Sequence, residues 1–337
     1  MKNIKYFIIY VAAMTAYNFI RILPAKMVPK LARMLAYLLW PIPAISKLIC
    51  ANIRCAFPEW DNKKVRKVGF ESLFNLLWNM IEFFWTDGKK ERIEQCYVMP
   101  DVLKNTLDGH SAKGERMIYV CPHLGSWEGS GTMANYYGKV KMAAIAKPVK
   151  NPYLNKFFNE KMRGDSAGFD VIFSKGAMRG CVAALREGKS LAILVDQNTR
   201  VRDGGVFVKF FGVPVPSSIA PSVLKKYCDA RGIPCAVMYG SSLRHEDGKL
   251  YSFSQELSKP FNEYSSDAEI LQEFLDISES YIRKYPEQYL WLYHRFQNIP
   301  PDVDEETRKR YPYYARVPNT HFFSRAAVKA NNKESEK

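Results

Sequence analysis

The sequence predicts an α/β fold around a largely parallel or mixed central sheet, and three observations predict it. The chain has 337 residues, 47% of them hydrophobic, enough for a sizeable core in one large domain or two ordinary ones. Short, apolar, β-prone runs recur along it: "RMIYVCP" (116–122), "MAAIAK" (142–147), "DVIF" (170–173), "SLAILV" (190–195) and "PCAVMYG" (234–240). Between and after them lie helical patterns over 126–137, 151–163, 176–188 and 217–231, then a last helix over 267–285. Strands alternating with helices pack as helical layers on a sheet.

The N-terminus precedes this pattern. "YFIIYVAAMTAYNFI" (6–20) is uncharged and mostly apolar. As a helix it spans about 22 Å, short of the ~30 Å hydrocarbon core of a bilayer, so a true span would need Lys5 and Arg21 to snorkel. A signal peptide is the rival reading, with "VAAMTA" as the cleavage region. Arg21, Lys26, Lys30 and Arg33 follow directly, and positive charge there argues for retention on the cytoplasmic face. A second apolar block, "MLAYLLWPIPAISKLI" (34–49), is broken by Pro41 and Pro43. Together the two blocks predict an anchor followed by a helix lying against the bilayer; packing on the protein's own core is the alternative. Residues 62–85 read as a helix with a very wide apolar face, whose Trp78, Phe83, Phe84 and Trp85 suit core packing or an acyl chain. The tail from about 325, "RAAVKANNKESEK", is expected to be frayed.

Lys and Arg outnumber Asp and Glu by 49 to 34, a formal charge of +15 that calls for anionic partners: a membrane surface, phosphorylated substrates, an acidic protein or nucleic acid. No nucleic-acid-binding motif is present, and the many aromatic residues favour lipid contact. The seven cysteines are scattered and form no CxxC, which predicts apolar filling in a reducing compartment and neither a disulfide framework nor a zinc site. Five histidines and no H-E-x-x-H leave little material for a metal centre.

Chemistry is concentrated in "YVCPHLGSWEGSG" (119–131). Five residues of helix rotate about 500°, so His123 and Glu128 cannot share a helical face. They can meet if His123 sits in the loop leaving strand 116–122 and Glu128 in the first turns of the next helix. Pro122 and Gly125 make that break natural. A histidine there would stand at the edge of the sheet, where ligands of open α/β sheets bind. An imidazole, with an unperturbed pKa of about 6.5, suits removing a proton from an alcohol, with a carboxylate fixing tautomer and orientation. Ser126 is not in a G-x-S-x-G elbow, because Leu124 and Glu128 occupy the glycine positions. Cys121 lies two residues back on the strand and is expected to face elsewhere.

Further stretches occur in order: "ANIRCAFPEW" (51–60), "AKPVKNPYLNKFF" (146–158), "SKGAMRGCVAALREGKSLAILVDQN" (174–198), "GGVFVKFFGVPVPSS" (204–218) and "PEQYLWLYHRFQ" (286–297). With "CPHLGSWEGSG" they resemble the bacterial lipid A biosynthesis acyltransferases, the late lauroyl- and myristoyl-transferase branch of the lysophospholipid acyltransferase superfamily. The resemblance runs over roughly residues 10 to 300. It implies a glycerol-3-phosphate-acyltransferase-like α/β sandwich and puts the family's H-x4-D/E motif on His123 and Glu128. It also implies transfer of an acyl chain from an acyl carrier protein or coenzyme A thioester to a hydroxyl of a membrane glycolipid, on the cytoplasmic face of the inner membrane. No cofactor or metal is expected.

On that reading the chain divides into an N-terminal hydrophobic anchor with interfacial helices (1–50), an acyltransferase domain (51–305) and a basic tail (306–337). His123, held by Glu128, takes the proton of the acceptor hydroxyl, and a cation or backbone N–H groups stabilise the oxyanion. Segment 139–163 carries Lys139, Lys141, Lys147, Lys150, Lys156, Lys161 and Arg163 against one acid, Glu160; this charge leans towards acyl carrier protein as donor. Two departures from the family pattern leave the identity of the cation open. "AKP" stands where many members have "YRP", putting Lys147 in the arginine's place. Arg163 lies one position beyond the expected arginine, with Met162 there. Asp196 in "VDQN" is expected to orient substrate or structure. Gly204, Gly205 and Phe207 to Gly212 are read as a tight turn and apolar wall that shape the site. Other acceptors (lysophospholipid, aminolipid, another saccharolipid) and a non-catalytic lipid or carrier-protein binder are the alternatives.

Overall fold

A computed structural model describes residues 2–138 and 140–324. The tail from about 325 and Lys139 of the basic segment lie outside them. The elements run α1 (Lys2–Ile22), α2 (Val28–Leu39), α3 (Pro43–Ala56), α4 (Asn62–Thr86), α5 (Lys90–Cys96), β1 (Tyr97–Val98), α6 (Asp101–Ala112), β2 (Arg116–Cys121), α7 (Trp127–Gly138) and β3 (Met142–Ala146). There follow α8 (Pro152–Asn155), β4 (Phe169–Phe173), α9 (Ala177–Arg186), β5 (Ser190–Leu194), β6 (Gly205–Phe210), β7 (Val213–Ser218), α10 (Ala220–Asp229), β8 (Cys235–Arg244), β9 (Leu250–Gln255), α11 (Asp267–Lys284), α12 (Glu305–Arg310) and α13 (Thr320–Phe323). They fall into two units: the described parts of Met1–Leu38, Phe74–Ile193 and Leu224–Glu256 form the first, and those of Leu39–Leu73, Leu194–Val223 and Leu257–Lys337 the second.

A seven-stranded sheet ordered β1-β9-β8-β2-β5-β3-β4 is the frame of the first unit. β2 pairs in parallel with β8, and β3 in parallel with both β4 and β5. The Met117 N–H donates to Ser190 Oγ at 3.0 Å and Cys121 Sγ lies 4.0 Å from the Ile193 carbonyl, so β5 rises beside β2 in the same direction. β9 returns antiparallel on β8, which makes the sheet mixed. All five expected strands are present in the sheet, with helices between them flanking it. With β2, β3, β4, β5 and β8 all running one way, their carboxyl ends share one edge, and the 122–126 loop leaves β2 there.

The pattern of α1 is inverted for a core helix. Its tyrosines face the unit, Tyr17 being buried against Phe84 and Phe157, whereas Ile4, Phe7, Ile8, Val11, Phe19 and Ile22 are exposed. Asn151 Nδ2 donates to the Tyr6 carbonyl at 2.9 Å near one end. Near the other, the Tyr17 hydroxyl donates to Asp87, Arg21 pairs with Asp87 at 3.8 Å, and Trp85 Nε1 donates to the Leu23 carbonyl at 2.8 Å. The helix is thus tied along its length to the body. No single helix among the described residues is long and apolar enough to cross a membrane; α2 and α3 reach that measure only when taken together across their break.

The second unit gathers blocks far apart in sequence. Buried Asn52 of α3 donates to the carbonyls of Trp291 and Tyr293 at 2.6 and 2.7 Å, and Phe57 stacks on Trp60 at 3.9 Å while meeting Phe211 and Trp291 edge-on. β6 and β7 form a hairpin with Phe210 opposite Val213, so its turn is Phe211–Gly212, both at positive φ (52° and 70°), as a two-residue turn of this hand requires. A phenylalanine is unusual there. Its backbone is fixed by the Phe211 N–H donating to Glu279 Oε2 and Arg310 Nη2 donating to the Phe211 carbonyl, both at 2.6 Å. Of the residues read as a tight turn and apolar wall, Gly205 and Phe207 to Gly212 lie in this hairpin and Gly204 just before it.

Candidate active site

The loop between β2 and α7 is built from backbone constraints. Gly125 has φ +62°, and a Cβ there would lie 1.9 Å from the Ser242 carbonyl oxygen, so no other residue fits. This close approach is an isolated parallel bridge to β8, completed by the Ser126 N–H donating to the Ser242 carbonyl at 2.9 Å. Ser241 Oγ donates to the Leu124 carbonyl at 2.6 Å and Asn79 Nδ2 to the Gly125 carbonyl at 2.8 Å. His123 sits in the bend of this loop, half-buried, its ring edge-on to Trp127 at 5.0 Å. Gly125→Ala is expected to cost at least about 1–2 kcal/mol from the left-handed backbone alone, more with the clash, and to displace His123. Thermal unfolding and activity measured together would check this, and wild-type values of both would contradict it.

Glu128 lies in the first turn of α7, where a carboxylate complements the helix dipole. Arg163 holds it as a fork: Nε donates to Oε2 at 3.2 Å and a terminal nitrogen to Oε1, while Nη1 donates to Asn159 Oδ1 at 2.8 Å. Burial works against the charge of Arg163, but the hydrogen bonds and charge of Glu128 outweigh it and raise the guanidinium pKa, so it stays charged. Asn155 Oδ1 accepts from Asn159 Nδ2 at 2.9 Å and supports the arrangement from one turn back.

The helix carrying these residues explains why Arg163 is the one that arrives. The 151–163 region is not a plain α-helix: after α8 it winds as a π-helix over Lys156–Ser166. A π turn takes an extra residue, which absorbs an offset of one position. Met162 is fully buried among Phe83, Phe157 and Phe169, and its neighbour Arg163 meets Glu128. The geometry therefore gives Arg163 a carboxylate partner within the protein. Asn159 had no signal in the sequence beyond its place one turn before Arg163.

Lys147 is exposed just past the end of β3, at the carboxyl edge of the same sheet, and makes no ion pair among the described residues. Lys141, Lys150, Lys156 and Lys161 are exposed as well. Asp196, Gly205 and Phe207 belong to the second unit. Asp196 is 2% exposed beside Tyr289 and Arg295. Burial, then the charge of Asp196, hold the Tyr289 phenol pKa well above its ordinary value, while Arg295 pulls it back and a hydrogen bond to Asp196 adds to the rise. Arg295 donates to Asn198 Oδ1 at 3.2 Å, to the Pro216 carbonyl at 3.1 Å and to Ser217, so it binds the "VDQN", "VPVPSS" and "WLYHRF" stretches together. Gly205 opens β6 where a Cβ would lie 2.1 Å from the Thr199 carbonyl oxygen. Phe207 is half-buried on β6, 6.1 Å from Phe322.

Ser126, the hydroxyl nearest the motif, has a structural role. Buried Ser126 Oγ accepts from the Gly129 N–H at 3.3 Å and so caps α7. All seven cysteines are free thiols. Burial pushes Cys181 up to about 11 and Cys55 to about 12, far from the thiolate a nucleophile requires. No cluster of His, Cys, Asp and Glu able to hold a metal ion occurs among the described residues.

Comparison with known proteins gives one consistent result. Residues 1–298 match the family described as bacterial lipid A biosynthesis acyltransferase. The chain is 23% identical over 255 residues to the lipid A biosynthesis palmitoleoyltransferase of Escherichia coli (strain K12), covering 74% of this chain and 78% of that protein. The lipid A biosynthesis acyltransferase of Shigella flexneri matches with the same identity and coverage. The present chain is also 23% identical over 268 residues to the lipid A biosynthesis lauroyltransferase of Escherichia coli (strain K12), covering 77% of this chain and 81% of that protein.

Proposed function

Because the chain belongs to the bacterial lipid A biosynthesis acyltransferase family, we propose that it transfers a fatty acyl chain from an acyl thioester to a hydroxyl of a lipid A precursor, with His123 as general base. The observation that carries the reading is the construction of the 122–128 segment. A histidine on a braced loop at the carboxyl edge of a parallel sheet is followed by a carboxylate that Arg163 grips from the side. Glu128, fixed in this way, orients the imidazole, and His123 removes the proton as the acceptor oxygen attacks the thioester carbonyl. The new ester C–O bond forms, the C–S bond breaks, and the proton passes from His123 to the departing thiolate. Arg163 is engaged by Glu128, so Lys147, exposed at the same sheet edge, is the cation we assign to the developing oxyanion or to a phosphate of the acceptor.

The donor follows from charge. The lysines that follow β3, Lys147, Lys150, Lys156 and Lys161, are all exposed, and their charge suits an acidic carrier protein, which favours acyl carrier protein over coenzyme A. The acceptor follows from the relatives, which are named for lipid A biosynthesis. The exposed apolar face of α1 supports a location on the cytoplasmic face of the inner membrane. Tied along its length to the body, α1 would lie in the bilayer surface rather than cross it, its side chains entering the acyl layer and the exposed Lys26 and Lys30 meeting anionic headgroups. The double substitution Ile8→Glu with Phe19→Glu is expected to release the protein from vesicles containing anionic lipid in a flotation assay. Undiminished flotation would remove the in-plane reading.

The test of function is acyl transfer by the detergent-purified chain. Acyl-carrier-protein and coenzyme A thioesters are offered together with a tetra-acylated lipid A precursor, and products are read by mass spectrometry. A precursor heavier by one acyl group supports the proposal. Product from total membrane lipid but none from the precursor would discard lipid A as acceptor, and no transfer to anything would favour a lipid or carrier-protein binder.

A further inference from the structure

We infer that Asn79 of α4 is a positioning residue for the His123 loop, locked in its working orientation by the buried ion pair of Arg244 and Glu82. The inference rests on the reading of His123 as the base and extends it to residues outside the motif.

The last three turns of α4, "NLLWNMIEFFWT" (75–86), are apolar except for Asn75, Asn79, Glu82 and Thr86. The spacing puts these four on one face of the helix, and all four are buried. Polar groups are expensive to bury unless partnered, so a polar stripe inside an apolar layer demands a reason. Asn79, 7% exposed, uses both ends of its amide. Nδ2 donates to the Gly125 carbonyl at 2.8 Å, and Oδ1 accepts from Arg244 Nη2 at 2.7 Å.

Arg244, at the end of β8, fixes which end is which. Its Nη2 also donates to Glu82 Oε2 at 2.8 Å, and its Nη1 to Glu82 Oε1 at 3.1 Å and to the Gly248 carbonyl at 2.6 Å. Its guanidinium carbon lies 3.7 Å from the centre of the Trp78 ring. A guanidinium only donates, so it requires an oxygen from Asn79, and the amide cannot flip. The NH2 group is then aimed at Gly125 by necessity.

What it holds is one peptide unit. The Gly125 carbonyl is bound by Asn79, and the N–H of the same unit, from Ser126, donates to the Ser242 carbonyl at 2.9 Å. The peptide between the histidine bend and the start of α7 is therefore gripped from α4 on one side and β8 on the other. Gly125 has the left-handed φ at which the chain is easily deflected once a grip is lost. His123 lies two residues before this point and Glu128 three after Gly125, so their mutual geometry depends on it.

The test uses Asn79→Asp, which keeps the acceptor for Arg244 but sets an oxygen against the Gly125 carbonyl, and Asn79→Ala, which removes the whole amide without adding charge. Each is compared with wild type and His123→Ala in the acyl-transfer assay, with the folded fraction taken from thermal unfolding. In both Asn79 variants, kcat per folded molecule is expected to fall about 30- to 100-fold with KM for donor and acceptor unchanged, the signature of misplaced catalytic groups. Backbone hydrogen exchange is expected to quicken in a peptide covering 122–127 and not in one covering 190–194. Wild-type kcat per folded molecule in both variants, or a loss confined to KM, would overturn the inference. If His123→Ala is inactive while the Asn79 variants turn over and exchange normally, only the role of Asn79 falls. If His123→Ala retains turnover, the base assignment falls instead.

Discussion

Replacing His123 with alanine is expected to lower kcat by about 100- to 10,000-fold while leaving KM for both substrates little changed, because proton removal is an interaction made only in the transition state. The fold should tolerate the change. His123 is half-buried in a bend whose backbone is held by Ser241, Ser242 and Asn79, and none of those bonds involves its imidazole. Steady-state transfer rates on variant and wild type, matched for folded protein, check it. Turnover near wild type in His123→Ala would mean that the acceptor hydroxyl loses its proton elsewhere, and the active-site assignment would have to be rebuilt.

Arg163→Met is expected to cost nearly as much, through Glu128. The guanidinium fork fixes the carboxylate, and removing one member of a partly buried pair leaves the other charged and unpaired. With side-chain exposures of 26% and 15% solvent offsets part of that penalty, so the effect should fall on geometry more than on stability, at about 100-fold in kcat. Coupling is the sharper readout. If Arg163 acts by holding Glu128, the double variant Arg163→Met with Glu128→Gln should be little worse than the poorer single variant. Additive losses would mean that Arg163 acts separately on a substrate, the role its sequence position first suggested.

The strands were legible where a short, mostly apolar run stood out between helical patterns. β2, β3, β4 and β5 stand within a residue or two of the runs that announced them. The β6–β7 hairpin was not read as strand, because Pro214 and Pro216 count against a ladder; they are tolerated on β7, whose partner in the two-stranded sheet is β6 alone. Residues 217 and 218, assigned to a helix from the pattern, belong to β7, and α10 begins at Ala220. β9 was missed because "LYSFSQ" alternates polar and apolar residues over only six positions.

The site divides in a similar way. His123 and Glu128 were visible because a proline, a glycine and a helix start mark where backbone direction changes. Arg163 was visible as a residue but not as a partner of Glu128, since its direction depends on π winding that periodicity reasoning does not anticipate. The support from Arg244 and Asn79 comes from elements more than a hundred residues apart in sequence. Its one local sign was the polar stripe 75, 79, 82 and 86 on an apolar helix, which the width of the apolar face concealed.

Direct transfer from thioester to lipid hydroxyl with His123 as base can be followed by weighing the products of a single turnover. Detergent-purified enzyme is mixed with acyl-carrier-protein thioester and a tetra-acylated lipid A precursor, quenched over time, and both lipid and intact protein are weighed. The lipid is expected to become heavier by one acyl group while the protein keeps its own mass, because the base leaves no covalent trace. An acyl group appearing on the protein before it reaches the lipid, or no heavier lipid at all, would contradict it.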